Sequence, residues 1–263
     1  VRQWIVGKDP RQWGFDFGLW TRKIVQQMMV DKFGVSLTLP SVGHWLTSLD
    51  ITPQKPLRRA YERDEAAVTK WKKETYPQLR RRAQKNGAEI FFLDEAGVRS
   101  DSPWGRSYEL KGRTPVVKTS GKRQSINAIS AVNSKGAFWY NGYPGKLNAA
   151  LFLHFLKDFM KYRRQPAYMV LDSLPVHKAK SVEAYVKSTN GKLELHYLPT
   201  YAPDTNPDEF VGHHLKQNGT SKKPLRANES LKARVITDLS AIERDPGLVR
   251  SFFMAESVSY TTY

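Results

Sequence analysis

The chain has 263 residues, enough for one large domain or two smaller ones, and its 40% hydrophobic and 25% charged residues allow a sizeable core and exclude wholesale disorder. Lys and Arg number 42 against 25 Asp and Glu, a net charge of +17, which points to a polyanionic partner, nucleic acid before an anionic membrane. The absence of cysteine excludes disulfides, cysteine-bound zinc and thiol nucleophiles, and the chain has neither a long apolar run nor a secretory signal pattern.

The chain opens on Val1 inside an apolar, Trp-bearing stretch, so a preceding segment is expected. Leu19 to Phe33 predicts an amphipathic helix, with Ile24, Val25, Met28 and Met29 at helical spacing and Gly34 at its end. A second short helix is expected from Ser41 to Leu49, and the tight connection between the two suits a helix-turn-helix. Thr52 to Pro56 reads as an extended wing or arm. The densest basic stretch follows: Lys55 to Arg82 holds ten basic residues against four acidic ones. It predicts a basic helix from Arg63 to Lys85, interrupted at Pro77.

From Glu89 the pattern changes. Ile90 to Leu93 is a short apolar strand ending at Asp94, and Ser125–Ala131 and Ala137–Tyr143 predict a hairpin. A helix over Asn148–Tyr162, a buried strand Tyr168–Leu171 ending at Asp172, a helix Ser181–Ser188, a strand Leu193–Leu198 and a helix from about Pro207 complete the order β-β-β-α-β-α-β-α. That order implies an α/β fold with a mixed sheet flanked by helices. Three regions are expected: 1–60 as an all-α winged helix-turn-helix module, 61–88 as a basic helical linker, and 89–263 as a catalytic domain.

Asp94 and Asp172 each follow four apolar strand residues, and strand ends are where α/β sheets gather functional groups. Glu209 sits near the start of a helix after Tyr201–Pro207. Three converging carboxylates repel one another unless cations share them, and an all-oxygen donor set selects Mg²⁺ or Mn²⁺. Two such ions serve phosphodiester chemistry, which matches the basic charge. Glu95 is expected to face away from Asp94, since strand neighbours point to opposite faces. Asp94 with Glu109-Leu110-Lys111 also matches the short D…E-x-K nuclease pattern, which leaves Asp172 and Glu209 unexplained. No phosphate-binding G-x-x-x-x-G-K-S/T loop is present. Ser41, His44 and Ser48 are candidate groove-facing residues. Lys55, Arg58, Arg59, Arg80, Arg81, Arg82, Arg106, Lys111, Arg113 and Lys178 are candidate phosphate contacts.

The blocks around Phe91–Gly97, Val170–Lys178 and Leu198–Glu209 resemble the catalytic blocks of bacterial insertion-sequence transposases of the mariner superfamily. The resemblance implies an Asp-Asp-Glu triad, Asp94, Asp172 and Glu209, on a ribonuclease-H-like fold. It implies a DNA transposase with two Mg²⁺ or Mn²⁺ ions per site, acting on double-stranded DNA as a homodimer in the bacterial cytoplasm, at the nucleoid. His177 matches a family histidine, for which contact with a DNA phosphate or orientation of a ligand is the implied role. Ser173, Thr205 and Gly212 depart from residues common in the family, and its further N-terminal helix-turn-helix is missing. These departures motivate an alternative, a decayed transposase acting as a non-enzymatic DNA-binding repressor.

Overall fold

In a computed structural model the chain forms two compact units, Val1–Arg58 and Arg59–Tyr263. The structure describes residues 2–56, 59–101, 108–117, 123–220, 225 and 228–262.

In the first unit, α1 spans Arg22–Phe33 and α2 spans Leu39–Ser48. The hydroxyl of Thr21 accepts the Ile24 N–H at 3.2 Å, so α1 starts at Arg22 rather than Leu19, and Leu19 stays exposed. Gly34, at φ 65°, ends the helix as expected. Thr38, not Ser41, caps α2: its Oγ1 accepts the Ser41 N–H at 3.3 Å. Pro40 therefore lies inside the first turn, where no N–H is needed. Ile5, Val25 and Val42 form the core, with Trp45, Leu46 and Ile51 packed on it. Residues 51–56 hold neither helix nor strand.

The second unit begins with α3 (Glu65–Lys70), a π-helical turn (Trp71–Thr75) and α4 (Tyr76–Lys85). Pro77 lacks an N–H and crowds the preceding turn. The wider π turn absorbs both effects, so the helical path continues where an interruption was expected. The remaining elements are β1 (Glu89–Arg99), β2 (Ser125–Val132), β3 (Phe138–Tyr143), α5 (Ala149–Met160), β4 (Ala167–Leu171), α6 (Lys180–Ser188), β5 (Leu193–Tyr197), α7 (Glu209–His214), α8 (Leu231–Glu243) and α9 (Pro246–Ser251). The strand order is β3-β2-β1-β4-β5. β1–β2 and β2–β3 are antiparallel, whereas β1–β4 and β4–β5 are parallel. This is the ribonuclease-H-like mixed sheet anticipated from the sequence.

β1 is much longer than its apolar run. Asp94 to Arg99 stay in the strand because β2 pairs with them as far as Arg99↔Ser125. Alternation along the strand sends Phe91 and Leu93 to one face and Phe92 and Val98 to the other. α5 covers the first face with Phe152, Phe155, Leu156 and Phe159, each fully buried and contributing about 1.5–3 kcal/mol. On the second face Trp71, Tyr76, Leu79 and Ala83 pack with Phe92, together with Val211, Leu239 and Phe253. Residues 61–88 are thus built into this unit's core. No helix among the described residues is long and apolar enough to cross a membrane.

The β2–β3 connection is held by Asn133, whose Oδ1 accepts the N–H groups of Lys135 at 3.1 Å and Ala137 at 2.8 Å. Gly136 has φ 98°, and a Cβ there would lie 2.8 Å from Pro246 O. Both the backbone conformation and the contact demand glycine. Gly136→Ala should therefore cost about 1–3 kcal/mol of stability, read as a lowered urea midpoint at unchanged m-value.

Candidate active site

Phe92 faces Val170 across the parallel β1–β4 pair. Asp94 follows two residues later in β1, and Asp172 lies two residues after Val170, just past the end of β4. β4 ends at Leu171 while β1 continues, so past Phe92 the β4 side of β1 has no strand partner. The chain supplies substitutes. Asn206 Nδ2 donates to Leu93 O at 2.9 Å, and Asn206 Oδ1 accepts the Asp208 N–H at 3.1 Å. This clamps the turn Pro203–Thr205 to β1 and starts α7 at Glu209 beside it.

Asp94 belongs to the even-numbered face of β1 and Asp172 to the Tyr168–Val170 face of β4, so both follow the core face on which α7 packs. Asp94, Asp172 and Glu209 line one cavity of about 340 Å³, closed by Leu174, Leu198 and the turn Pro199–Pro203. Tyr201 in that turn has φ 56°, a strained conformation for a non-glycine residue. The three carboxylates singled out in the sequence thus share one cavity, with Asp94 mid-strand rather than at a strand end.

Burial pushes the Asp94 carboxyl well above the usual range, and the nearby charges of Glu209 and Asp208 push it further. Partial desolvation also raises Glu209, against a hydrogen bond with Asp94 and the charge of Lys216. Two carboxyls that share a hydrogen bond need either a proton or a cation between them. The all-oxygen donor set fits a hard divalent cation. Among the described residues no three Asp, Glu or His side chains already converge as an ion-binding group.

His177 is only 1% exposed, so it has no surface to offer a DNA phosphate, one of its two anticipated roles. Its Nδ1 lies 2.9 Å from Asp172 Oδ1 and its Nε2 lies 3.0 Å from Glu95 Oε1. Burial opposes the imidazolium, but the hydrogen bonds and charges of Asp172 and Glu95 overrule it and hold the ring pKa up at about 9. Glu95 does face away from Asp94, yet it reaches Asp172 through this ring. Asp208 is also buried: its Oδ2 accepts from Ser130 Oγ at 2.7 Å, its Oδ1 has no hydrogen-bond partner among the described residues, and burial drives its pKa far up. The Asn206-Pro207-Asp208 turn was a visible sequence signal for part of this shell. Nothing local marked Ser130, the cross-strand partner of Asp94.

Ser41, His44 and Ser48 are exposed along α2, although Ser41 Oγ is 2.8 Å from Thr38 Oγ1 and Ser48 Oγ donates to Trp45 O at 2.7 Å. Lys55, Arg80, Arg81, Lys111 and Arg113 are exposed. Arg59 is exposed and pairs with Glu65 at 3.2 Å, while Lys178 Nζ lies 4.8 Å from the Tyr197 ring. Arg82 is engaged by Glu194 and stacks over Tyr168. Arg58 and Arg106 lie outside the described residues. Glu109 and Lys111 line no part of the cavity at Asp94, which removes the support for the D…E-x-K pattern. Gly212 is not a packing defect: a Cβ there would lie 3.0 Å from Ala96 Cβ, so glycine lets α7 approach β1.

Residues 89–232 match the DDE superfamily endonuclease family and residues 16–75 match the winged helix-turn-helix family. No curated protein sequence matches the chain. Among solved structures, the Mos1 strand transfer complex shares 18% identity at a TM-score of 0.55, covering 93% of this chain and 79% of that one. The pre-cleavage Mos1 transpososome shares 16% at 0.56, covering 93% and 80%. The Mos1 mariner paired end complex with Mn shares 15% at 0.55, covering 95% and 82%. These likenesses show a shared fold.

Because Asn206 bonds both β1 and the start of α7, Asn206→Ala should cost about 1–3 kcal/mol and loosen Glu209. Urea unfolding measures the first effect. The second should appear as faster amide hydrogen exchange across residues 203–210 than across α5.

Proposed function

From the DDE superfamily endonucleases, to which this chain belongs, we propose that it is a DNA transposase that cuts element ends and joins them to target DNA. The observation that carries this reading is one cavity lined by Asp94 on β1, Asp172 just past the neighbouring parallel strand β4, and Glu209 at the start of α7. The donor set selects Mg²⁺ or Mn²⁺, two ions per site in this reading. When bound, such ions activate an attacking oxygen and stabilise a leaving one at a phosphodiester.

The chain's own residues do the rest. Asp94, Asp172 and Glu209 hold the cations. Asn206 fixes the carboxylate-bearing turn against β1. The exposed face of α2, with Ser41, His44 and Ser48, enters the major groove of an element end. Lys55, Arg59, Arg80, Arg81, Lys111, Arg113 and Lys178 neutralise phosphates of double-stranded DNA. Hydrolysis at the end frees a 3′-hydroxyl, and transesterification joins that hydroxyl to target DNA without a covalent enzyme intermediate. Pairing two ends calls for a homodimer, working in the bacterial cytoplasm at the nucleoid.

Asp94→Ala, Asp172→Ala and Glu209→Ala should each lower metal-dependent cleavage of labelled duplex by at least about 10³-fold, since the three act as one unit. DNA affinity in a gel-shift assay should change little. Cleavage retained by Asp172→Ala would refute the triad. Binding without any cleavage by the unaltered chain would favour the repressor alternative. Arg81→Ala should weaken duplex binding uniformly across sequences and reduce the slope of log affinity against log salt by about 1.

A further inference from the structure

The edge of β1 beyond Phe92 brings three groups into one line across the sheet. Glu95 is 16% exposed, His177 1% and Asp172 46%, so the imidazole is buried between two carboxylates, of which Asp172 lines the cavity. The imidazole is fixed on every side. Its ring centroid lies 4.5 Å from that of Phe152, and the carbonyl of His177 accepts from Tyr197 Oη at 3.3 Å. Its Nε2 faces Glu95 Oε1, and its Nδ1 faces Asp172, 2.9 Å from Oδ1 and hydrogen-bonded at 3.2 Å to the main-chain O.

At the far end both side-chain bonds to Asp172 fall on a single oxygen. Oδ1 is approached by His177 Nδ1 at 2.9 Å and accepts the Leu174 N–H at 3.1 Å. Oδ2 carries neither bond. A carboxylate held by one oxygen presents the other in a fixed direction, and a carboxylate–histidine couple of this kind orients metal ligands elsewhere in protein chemistry. Without Glu95 the ring loses one of its two carboxylate partners, and Asp172, half exposed just past a five-residue strand, keeps only the Leu174 N–H as a firm hold on Oδ1.

We propose that Glu95 and His177 are a positioning pair for Asp172. Glu95 fixes the imidazole, and the imidazole fixes Asp172 Oδ1, so that Oδ2 is aimed at the cation. The inference rests on the reading of Asp172 as a cation ligand. It assigns Glu95 a function that its opposite facing on β1 would seem to deny it.

The test is a Mn²⁺ titration of the full chain, followed by electron paramagnetic resonance of the free ion, with Asp172→Ala defining the binding that belongs to this site. Glu95→Ala should weaken that binding about 10-fold or more. Glu95→Gln, which keeps an acceptor for Nε2–H, should restore it to within about 3-fold of the unaltered chain. His177→Phe, which keeps the ring's bulk but not its nitrogens, should lose as much as Glu95→Ala. The double variant should lose no more than either single one, because the two act in series. Affinity unchanged in Glu95→Ala and His177→Phe, even with lowered thermal midpoints, leaves the pair a purely structural role and overturns the inference. Additive losses in the double variant overturn the serial arrangement. If the unaltered chain binds no Mn²⁺ that Asp172→Ala removes, the cation reading itself fails, and the two failures are thereby told apart.

Discussion

Parallel pairing between β1 and β4 stops at Phe92↔Val170, while β1 runs on to Arg99 against β2. The rest of the site follows from that mismatch in length. A strand edge inside a protein must have its backbone groups satisfied, and here no strand is available to do so. Asn206 meets part of the demand at Leu93 O and thereby brings the start of α7 to β1. His177 occupies the space beside Glu95 and ties it to Asp172. The same neighbouring strands bring Asp94 and Asp172 to one cavity.

This arrangement is costly for the folded chain. Desolvation pushes both Asp94 and Glu209 toward protonation, the charge of Glu209 pushes Asp94 further, and Asp208 is buried with one oxygen lacking a hydrogen-bond partner among the described residues. Tyr201 holds a strained backbone conformation at the cavity wall. Such features gather where function overrides local stability, and the surrounding core must offset them. It does so on both faces of the sheet. Phe152, Phe155 and Phe159 close one side, and a Tyr76–Phe92–Tyr260 aromatic group closes the other.

Much of this was legible in the sequence, for definite reasons. Apolar runs of four residues ending in Asp marked β1 and β4, and the element order that follows specifies the mixed sheet. The turn from Tyr201 to Pro207 marked the approach to Glu209. What escaped depends on tertiary contact. The length of β1 is set by pairing with β2, not by its own apolar content. Glu95 and Ser130 carry no local signal, because their partners, His177 and Asp208, lie 82 and 78 positions away in the chain. Gly212, a departure from residues common in the family, allows a close approach between α7 and Ala96.

The basic run from Lys55 to Arg82 shows why charge alone does not assign a role. Within it, Arg63 has only 6% of its side chain exposed and is bound by Asp204 and Glu65. Arg82 is bound by Glu194, and Lys72 donates to Ser257 O at 2.8 Å. These cations hold the helical segment onto the second unit. One of them, Arg63, grips the turn that delivers Glu209. Lys73, Arg80 and Arg81 point outward from the same helices. A single stretch thus carries two populations of charge, one that fixes the framework of the acidic cavity and one displayed on its outer surface. The inward cations are committed to Asp204, Glu65 and Glu194, and the cation whose charge reaches Glu209 is instead Lys216, which lies outside this run.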